Sequence, residues 1–162
     1  MITWRSAPSP LGDLVAVADD DWLTDLILPG EARVVPEGAV EGGPTVDRAA
    51  AQLGAWFARE RERFDLPLAP RGSAFQRRVW AALVAVPYGT TASYREIATA
   101  IGQPTATRAV GAANGRNPIP LIIPCHRVIG ADGALVGYSG GGGIETKRTL
   151  LDFEQGVLSL NV

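Results

Sequence analysis

Residues 93–115 read SYREIATAIGQPTATRAVGAANG, and this stretch carries the signals of two short helices joined by a tight turn. Ser93 and Glu96 have capping-box spacing, which predicts a helix that begins after Ser93 and ends before Gly102. Thr105 is the predicted cap of a second helix over residues 106–114. Two short helices around a Gly-Gln-Pro turn are typical of a helix-turn-helix, whose second helix enters a groove of DNA.

The second of these helices is unusual for one that reads DNA sequence. Arg108 is its one side chain with a long reach, and its other candidate DNA contacts are small residues, namely Thr107, Ala109, Gly111 and Ala112. A helix that reads bases in the major groove usually carries Arg, Asn or Gln at several positions. This helix is therefore predicted to approach the duplex closely with little discrimination between sequences.

The segments next to this stretch predict a core helix and a buried support. Ser73 is the predicted cap of a helix whose apolar face is formed by Phe75, Val79, Trp80, Leu83 and Val84. Downstream, the apolar run over residues 119–124 predicts a buried, strand-like segment that leads to Cys125.

Beyond the cysteine, the chain predicts a hairpin and a final helix. Asp132-Gly133 lies between Val128-Ile129 and Leu135-Val136, which is a strong hairpin pattern, and a hairpin after a helix-turn-helix is a wing. Apolar residues at helical spacing predict the final helix over residues 144–154.

The N-terminal residues predict a different kind of unit. Residues 2–5, 14–17 and 22–28 have the character of strands in a small antiparallel sheet, with 64–68 as a further strand candidate. Residues 29–44 are rich in Gly, Pro and Glu and predict a loop, and a helix that covers the sheet follows it. We therefore expect an α+β protein with an N-terminal sheet-plus-helix domain over 1–69 and a winged helix-turn-helix-like domain over 70–162.

Composition limits the classes of function. The 162 residues are 46% hydrophobic, and no apolar run approaches the roughly 18 residues of a membrane span. The start of the chain has no secretory signal pattern, so a cytoplasmic location is expected. One cysteine and one histidine exclude an internal disulfide and a Cys/His metal cage. We expect no metal and no cofactor, so any chemistry at Cys125 is thiol chemistry.

Charge is distributed unevenly between the two halves. Residues 1–69 carry 6 Arg against 12 Asp or Glu, whereas residues 70–162 carry 8 Arg and 1 Lys against 5 acids. Only the second half has the positive surplus that favours a polyanion such as DNA.

Cys125 is followed directly by the single histidine, His126, and by Arg127. A thiol of ordinary pKa near 8.5 needs a neighbouring base or cation to become a nucleophile at neutral pH. The residues alone leave a buried, inert cysteine as the alternative.

The stretch IPCHRVIG over residues 123–130 resembles the active-site signature of the O6-alkylguanine-DNA alkyltransferases. The family's other motifs follow in the same order over residues 73–154, among them PYG (87–89), RAVG (108–111), NP (117–118) and GYSG (137–140). Over residues 1–69 the resemblance is weak and rests mainly on SPLG (9–12). The spacing from Tyr138 to Lys147 is two residues longer here than is common in the family.

The resemblance implies a catalytic set. Cys125 becomes the alkyl acceptor, His126 takes its proton through a water molecule, and Glu154 orients the imidazole. Tyr94 becomes the hydrogen-bond or proton donor to the departing purine, and Asn117 ties the helix-turn-helix to the active-site segment.

The resemblance also implies the substrate contacts. Arg108 would fill the space left by a nucleotide flipped out of the duplex, and the base edge would meet a pocket formed by Val128, Tyr138, Ser139 and Gly140. The implied activity is that of a methylated-DNA–protein-cysteine S-methyltransferase, which takes the alkyl group from O6-alkylguanine in double-stranded DNA irreversibly and once.

Some properties stay open at this point. O4-alkylthymine as a second substrate and cooperative binding along DNA are not decided, although we expect a monomer with no membrane partner. The alternatives are a regulatory or damage-binding winged-helix protein in which Cys125 is incidental, and a thiol hydrolase that uses Cys125 and His126.

Overall fold

The computed structural model describes residues 1–136 and 143–157. The chain divides into two compact units, one over Met1–Pro70 and one that begins at Arg71. Tyr138, Ser139 and Gly140, which the resemblance places in the pocket, lie outside the described residues. In the part of the chain that is described, no helix has the length and apolar character needed to cross a membrane.

The first unit is a sheet covered by a helix, as predicted. Strands β1 (Ile2–Ala7), β2 (Leu14–Asp19) and β3 (Trp22–Ile27) pair antiparallel in chain order. Helix α1 (Pro44–Phe57) packs against β1 and β2 and buries Val46, Leu53, Trp56 and Phe57. Burial of these large apolar side chains is the main stabilising contribution to the unit.

Two details of this unit differ from the sequence prediction. The predicted loop over 29–44 contains a short strand, β4 (Val40–Glu41), which pairs parallel with β1, so the sheet is mixed rather than antiparallel. The predicted strand over 64–68 supplies only an isolated bridge between Leu68 and Leu23. Pro67 and Pro70 flank that bridge, and proline has no N–H to extend a ladder.

Within the described residues, the second unit has the α-helices α2 (Ala74–Val84), α3 (Tyr94–Ala100), α4 (Thr107–Gly115) and α5 (Ile144–Gln155). Ser73 and Ser93 cap α2 and α3, each through a complete capping box, which confirms both predicted caps. Helices α3 and α4 pack together as the predicted helix-turn-helix pair. The indole Nε1 of Trp80 donates to Ala113 O at 2.8 Å and so fixes α4 to α2.

Two helix predictions are wrong in detail. Thr105 does not cap α4, because a turn closed by Ala106 N–H and Gln103 O at 2.9 Å precedes the helix and makes Ala106 its N-cap, with no side-chain cap. Val84 does not join the core face of α2, because it is the last helical residue and its side chain is 51% exposed.

The approach to Cys125 is buried as predicted but is not a strand. Pro120 and Ile123 form an isolated bridge around a turn, and Leu121 has the left-handed φ of 72° while only 1% exposed. A leucine keeps this unfavourable conformation only where its surroundings dictate it. The segment is thus a rigid, buried turn.

The predicted pairing of the hairpin is also wrong. Strand β6 (Val128–Ile129) pairs parallel with β5 (Ala92–Ser93) and not with residues 135–136, although the turn at Asp132-Gly133 is present. Pairing with β5 buries Val128 completely, whereas residues 131–134 and Val136 are exposed and would bury little. The β5–β6 pair places the start of α3 beside the residues that follow Cys125.

Candidate functional site

Cys125 lies in a 3₁₀ turn, Cys125–Arg127, that is held by side-chain amides. Asn117 donates from Nδ2 to Ile123 O at 2.8 Å and accepts from Ile119 N–H at 2.9 Å, so it closes the turn before the cysteine. Asn114, on α4, donates from Nδ2 to Cys125 O at 3.3 Å. The backbone of the cysteine is therefore attached directly to the second helix of the helix-turn-helix.

The Cys125 thiol is 4% exposed, and burial raises its pKa to about 11. A hydrogen bond with Asn117 and the positive charge of Lys147 oppose this rise but do not cancel it. The resting sulfur is consequently a thiol at neutral pH and needs a base before it can act as a nucleophile.

His126, the residue after Cys125, forms a buried pair with Glu154. Imidazole Nε2 lies 2.6 Å from Glu154 Oε2, and both side chains are fully buried. A carboxylate only accepts hydrogen bonds, so Nε2 carries the hydrogen and Nδ1 keeps the lone pair. Nδ1 has no protein partner among the described residues. The imidazole is thus arranged as a base at Nδ1.

Glu154 is ionised despite its burial. Burial alone would raise its pKa, but hydrogen bonds and charges from His126 and Arg127 outweigh it and lower the pKa to about 2. Arg127 donates to the carboxylate from Nε at 2.9 Å and from Nη2 at 2.8 Å, and Gly89 N–H donates to Oε1 at 3.1 Å. Burial, together with the charges of Arg127 and Lys147, outweighs the hydrogen bond and charge of Glu154 and lowers the pKa of His126, so the imidazole rests neutral.

Tyr94 and Lys147 form a second buried pair. Tyr94 Oη donates to Val136 O at 2.5 Å, and Lys147 Nζ donates to the same carbonyl at 2.7 Å and to Tyr94 Oη at 3.3 Å. Burial raises the pKa of Tyr94 to about 12 and lowers that of Lys147 to about 8. A negative charge on Cys125 raises the pKa of both groups, so both lie within electrostatic reach of the sulfur.

The predicted DNA contacts lie on the accessible face of α4. Arg108, Ala109 and Ala112 are exposed, and Thr107 and Gly111 are partly exposed. The Arg108 side chain makes no hydrogen bond or ion pair with any described residue. A Cβ on Gly111 would lie 4.0 Å from the Tyr94 ring, so α4 passes close over the tyrosine.

The structure brings Cys125, His126, Glu154, Tyr94 and Asn117 into one unit. Val128 is fully buried, and its N–H donates to Cys125 O, whereas the other three predicted pocket residues are outside the described chain.

Lys147 and Asn114 were missed as site residues. Lys147 had a usable signal, because it is the single lysine of the chain and shares a helical face with Leu150 and Leu151. Arg127 is close to the cysteine in sequence, but its guanidinium binds Glu154, and Lys147 is the cation whose charge opposes the rise of the thiol pKa.

Comparison with known proteins gives a consistent result. Residues 74–156 match the family model described as 6-O-methylguanine DNA methyltransferase, DNA binding domain. The methylated-DNA–protein-cysteine methyltransferase of Mycolicibacterium paratuberculosis is 50% identical over 156 residues, which cover 96% of this chain and 93% of the relative. The protein of the same name from Methanosarcina barkeri is 48% identical over 149 residues, 91% of this chain and 93% of the relative.

The fold agrees with a solved structure as well. The crystal structure of Mycobacterium tuberculosis OGT in complex with DNA superposes with a TM-score of 0.86 at 46% identity, covering 96% of this chain and 94% of that one. The matching model spans more than half of the chain, and relatives of about 50% identity span nearly all of it. The chain therefore belongs to the O6-methylguanine-DNA methyltransferase family.

Proposed function

We propose that this protein repairs DNA directly, by moving an alkyl group such as methyl from O6 of guanine in double-stranded DNA to Cys125 Sγ. The observation that carries this proposal is the surroundings of the single cysteine, which is 4% exposed and is followed by His126. The 2.6 Å contact between His126 Nε2 and Glu154 leaves Nδ1 of the imidazole to act as the base. The relatives are named for the protein cysteine that they methylate, and this chain offers one. Because Cys125 is the single acceptor and is not regenerated, each protein molecule reacts once.

The transfer begins with the loss of the thiol proton. A thiol with a pKa of about 11 is almost entirely protonated at pH 7, so His126 Nδ1 takes the proton, through a water molecule. Glu154 stabilises the imidazolium that forms. The sulfur then attacks the alkyl carbon, the S–C bond forms as the C–O6 bond breaks, and the electron pair stays on the purine oxygen.

The purine leaves more easily when a hydrogen-bond donor stabilises the negative charge that develops on its oxygen. Tyr94 is neutral at pH 7 with a pKa of about 12, and its hydroxyl is the candidate donor. In the resting site that hydroxyl donates to Val136 O. Lys147 binds the same carbonyl at 2.7 Å, so the tyrosine proton can turn to the purine without leaving Val136 O unsatisfied.

The DNA contacts follow from the need to expose O6. The alkylated nucleotide has to rotate out of the stack, at a cost of a few kcal/mol, and Arg108 would fill the space that it leaves. The small residues Thr107, Ala109, Gly111 and Ala112 let the helix backbone approach the duplex. Val128, Tyr138, Ser139 and Gly140 would form the pocket edge, as the resemblance implies.

Asn117 follows the end of α4, and its side-chain amide binds the backbone of Ile119 and Ile123 in the turn before Cys125, which supports its proposed role as the link between α4 and the cysteine. The protein would bind DNA as a monomer, without metal or cofactor. Its proposed location is the cytoplasm.

The test is the mass of the intact protein after incubation with a duplex that contains O6-methylguanine. One added methyl group, located at Cys125 by peptide mapping and limited to one equivalent, is the expected result. Cys125→Ser is the control and should stay unmodified. Unmodified wild-type protein that still binds the duplex would favour a damage-binding protein, and continued turnover would favour a hydrolase.

A further inference from the structure

Arg127 is a buried cation that the transfer chemistry leaves without a role. Its guanidinium is 6% exposed, donates to Val86 O from Nη1 at 2.7 Å, and lies 5.6 Å from the centre of the Tyr88 ring. Its remaining donors, Nε and Nη2, bind Glu154. The loop after α2 and helix α5 therefore hold this side chain in one position.

His126 and Arg127 share one carboxylate oxygen. Glu154 Oε2 lies 2.6 Å from His126 Nε2 and 2.8 Å from Arg127 Nη2. Because Arg127 is always charged, it neutralises Glu154 whether or not the histidine is protonated. A proton on His126 would then bring an uncompensated positive charge into a buried site.

The other charged or titratable groups around His126 do not favour its protonation either. Lys147, on α5, also lowers the pKa of His126, and Cys125 in the same turn is a neutral thiol at rest. Glu154 is the anion that raises the pKa of the imidazole, but its charge is already neutralised by the guanidinium of Arg127. The resting cluster of His126, Arg127 and Glu154 has a net charge of zero only while the histidine is neutral.

We infer that Arg127 is a positioning residue that acts through Glu154 to keep His126 neutral, with its lone pair on Nδ1, until the cysteine proton is transferred. A base that is already protonated cannot accept the thiol proton, so Arg127 extends the pH range over which the site is ready. This inference deepens the proposed role of His126 as the base. Its test uses no alkylated DNA, so its failure and a failure of alkyl transfer are distinguishable.

The experiment is an NMR titration of the imidazole, which needs no assignment because His126 is the single histidine of the chain. In the wild type, we expect the ¹⁵N shifts of a neutral Nε2–H tautomer and a midpoint below the ordinary value of 6.5. Arg127→Met should raise the midpoint by at least about one pH unit, because Glu154 is then free to stabilise the imidazolium. Arg127→Lys restores the charge and should return the midpoint toward the wild-type value.

Arg148→Met is the matched control, since it removes the same charge from an exposed position on α5 and should leave the midpoint unchanged. If Arg127→Met does not fold, Arg127→Gln takes its place, because the amide can still donate to Glu154 but carries no charge. An unchanged midpoint in a folded, uncharged variant would overturn the inference. So would a wild-type midpoint at or above 6.5.

Discussion

Replacement of Glu154 by glutamine tests the buried cluster most directly. The pKa of this carboxyl falls from 4.5 to about 2 in the folded protein, and its side chain is fully buried. At 1.36 kcal/mol per pKa unit, this shift corresponds to about 3 kcal/mol of stability at pH 7. We expect Glu154→Gln to lose an amount of that order.

The loss should depend on pH with a defined sign. Because the folded pKa is lowered, the stabilisation is fully present above the unfolded value of 4.5 and is lost as pH falls toward about 2. Urea unfolding at pH 7 should therefore show the full difference between wild type and variant, and unfolding near pH 3 a smaller one. Glu145→Gln, at an exposed position in the first turn of α5, is the control and should change stability by less than about 1 kcal/mol.

The same substitution should slow alkyl transfer at Cys125. The carboxylate accepts from His126, Arg127 and Gly89 together, and an amide offers one oxygen in place of two. If that oxygen takes the place of Oε1 and faces Arg127 Nε and Gly89 N–H, the NH₂ group takes the place of Oε2 and faces His126 Nε2, which favours the tautomer with its hydrogen on Nδ1. The base is then lost, and the single-turnover rate should fall by about 10² to 10⁴-fold. A stability difference equal at pH 3 and pH 7, with an unchanged rate, would refute this reasoning.

Three further predictions address the acceptor, the DNA contact and the helix caps. Cys125→Ala should abolish transfer, measured by intact mass, and leave affinity for alkylated duplex largely unchanged in a gel-shift titration, because phosphate contacts lie elsewhere. Arg108→Ala should lose most activity on duplex DNA, by up to the few kcal/mol of unstacking, yet react normally with free O6-benzylguanine; an equal loss on both would remove Arg108 from nucleotide flipping. Ser93→Ala should lower the free energy of unfolding by about 0.5–2 kcal/mol, because it removes the bond to Glu96 N–H at 3.0 Å. Thr105→Ala, which removes no cap, should stay within about 0.5 kcal/mol, and equal effects of the two would contradict the capping geometry.

The sequence predicted the helices, the three long strands and the acceptor residue. Each of the caps at Ser73 and Ser93 forms between two residues that are three positions apart, so the local sequence pattern was sufficient to predict it. The pairing of His126 with Glu154 was available only through the family resemblance, because 28 residues separate them and nothing local connects the two.

Tertiary structure decided the remaining features. Strand β6, after Cys125, could pair either with β5 or with residues 135–136 of the predicted hairpin. It pairs with β5, because this arrangement buries Val128. Arg127 follows the cysteine and histidine in sequence, yet its guanidinium goes to Glu154 because that carboxylate is buried within hydrogen-bond distance. Local hydrogen bonds fix helix ends from a few residues, whereas the choice between competing partners depends on which arrangement buries more apolar surface and leaves no buried charge unpaired.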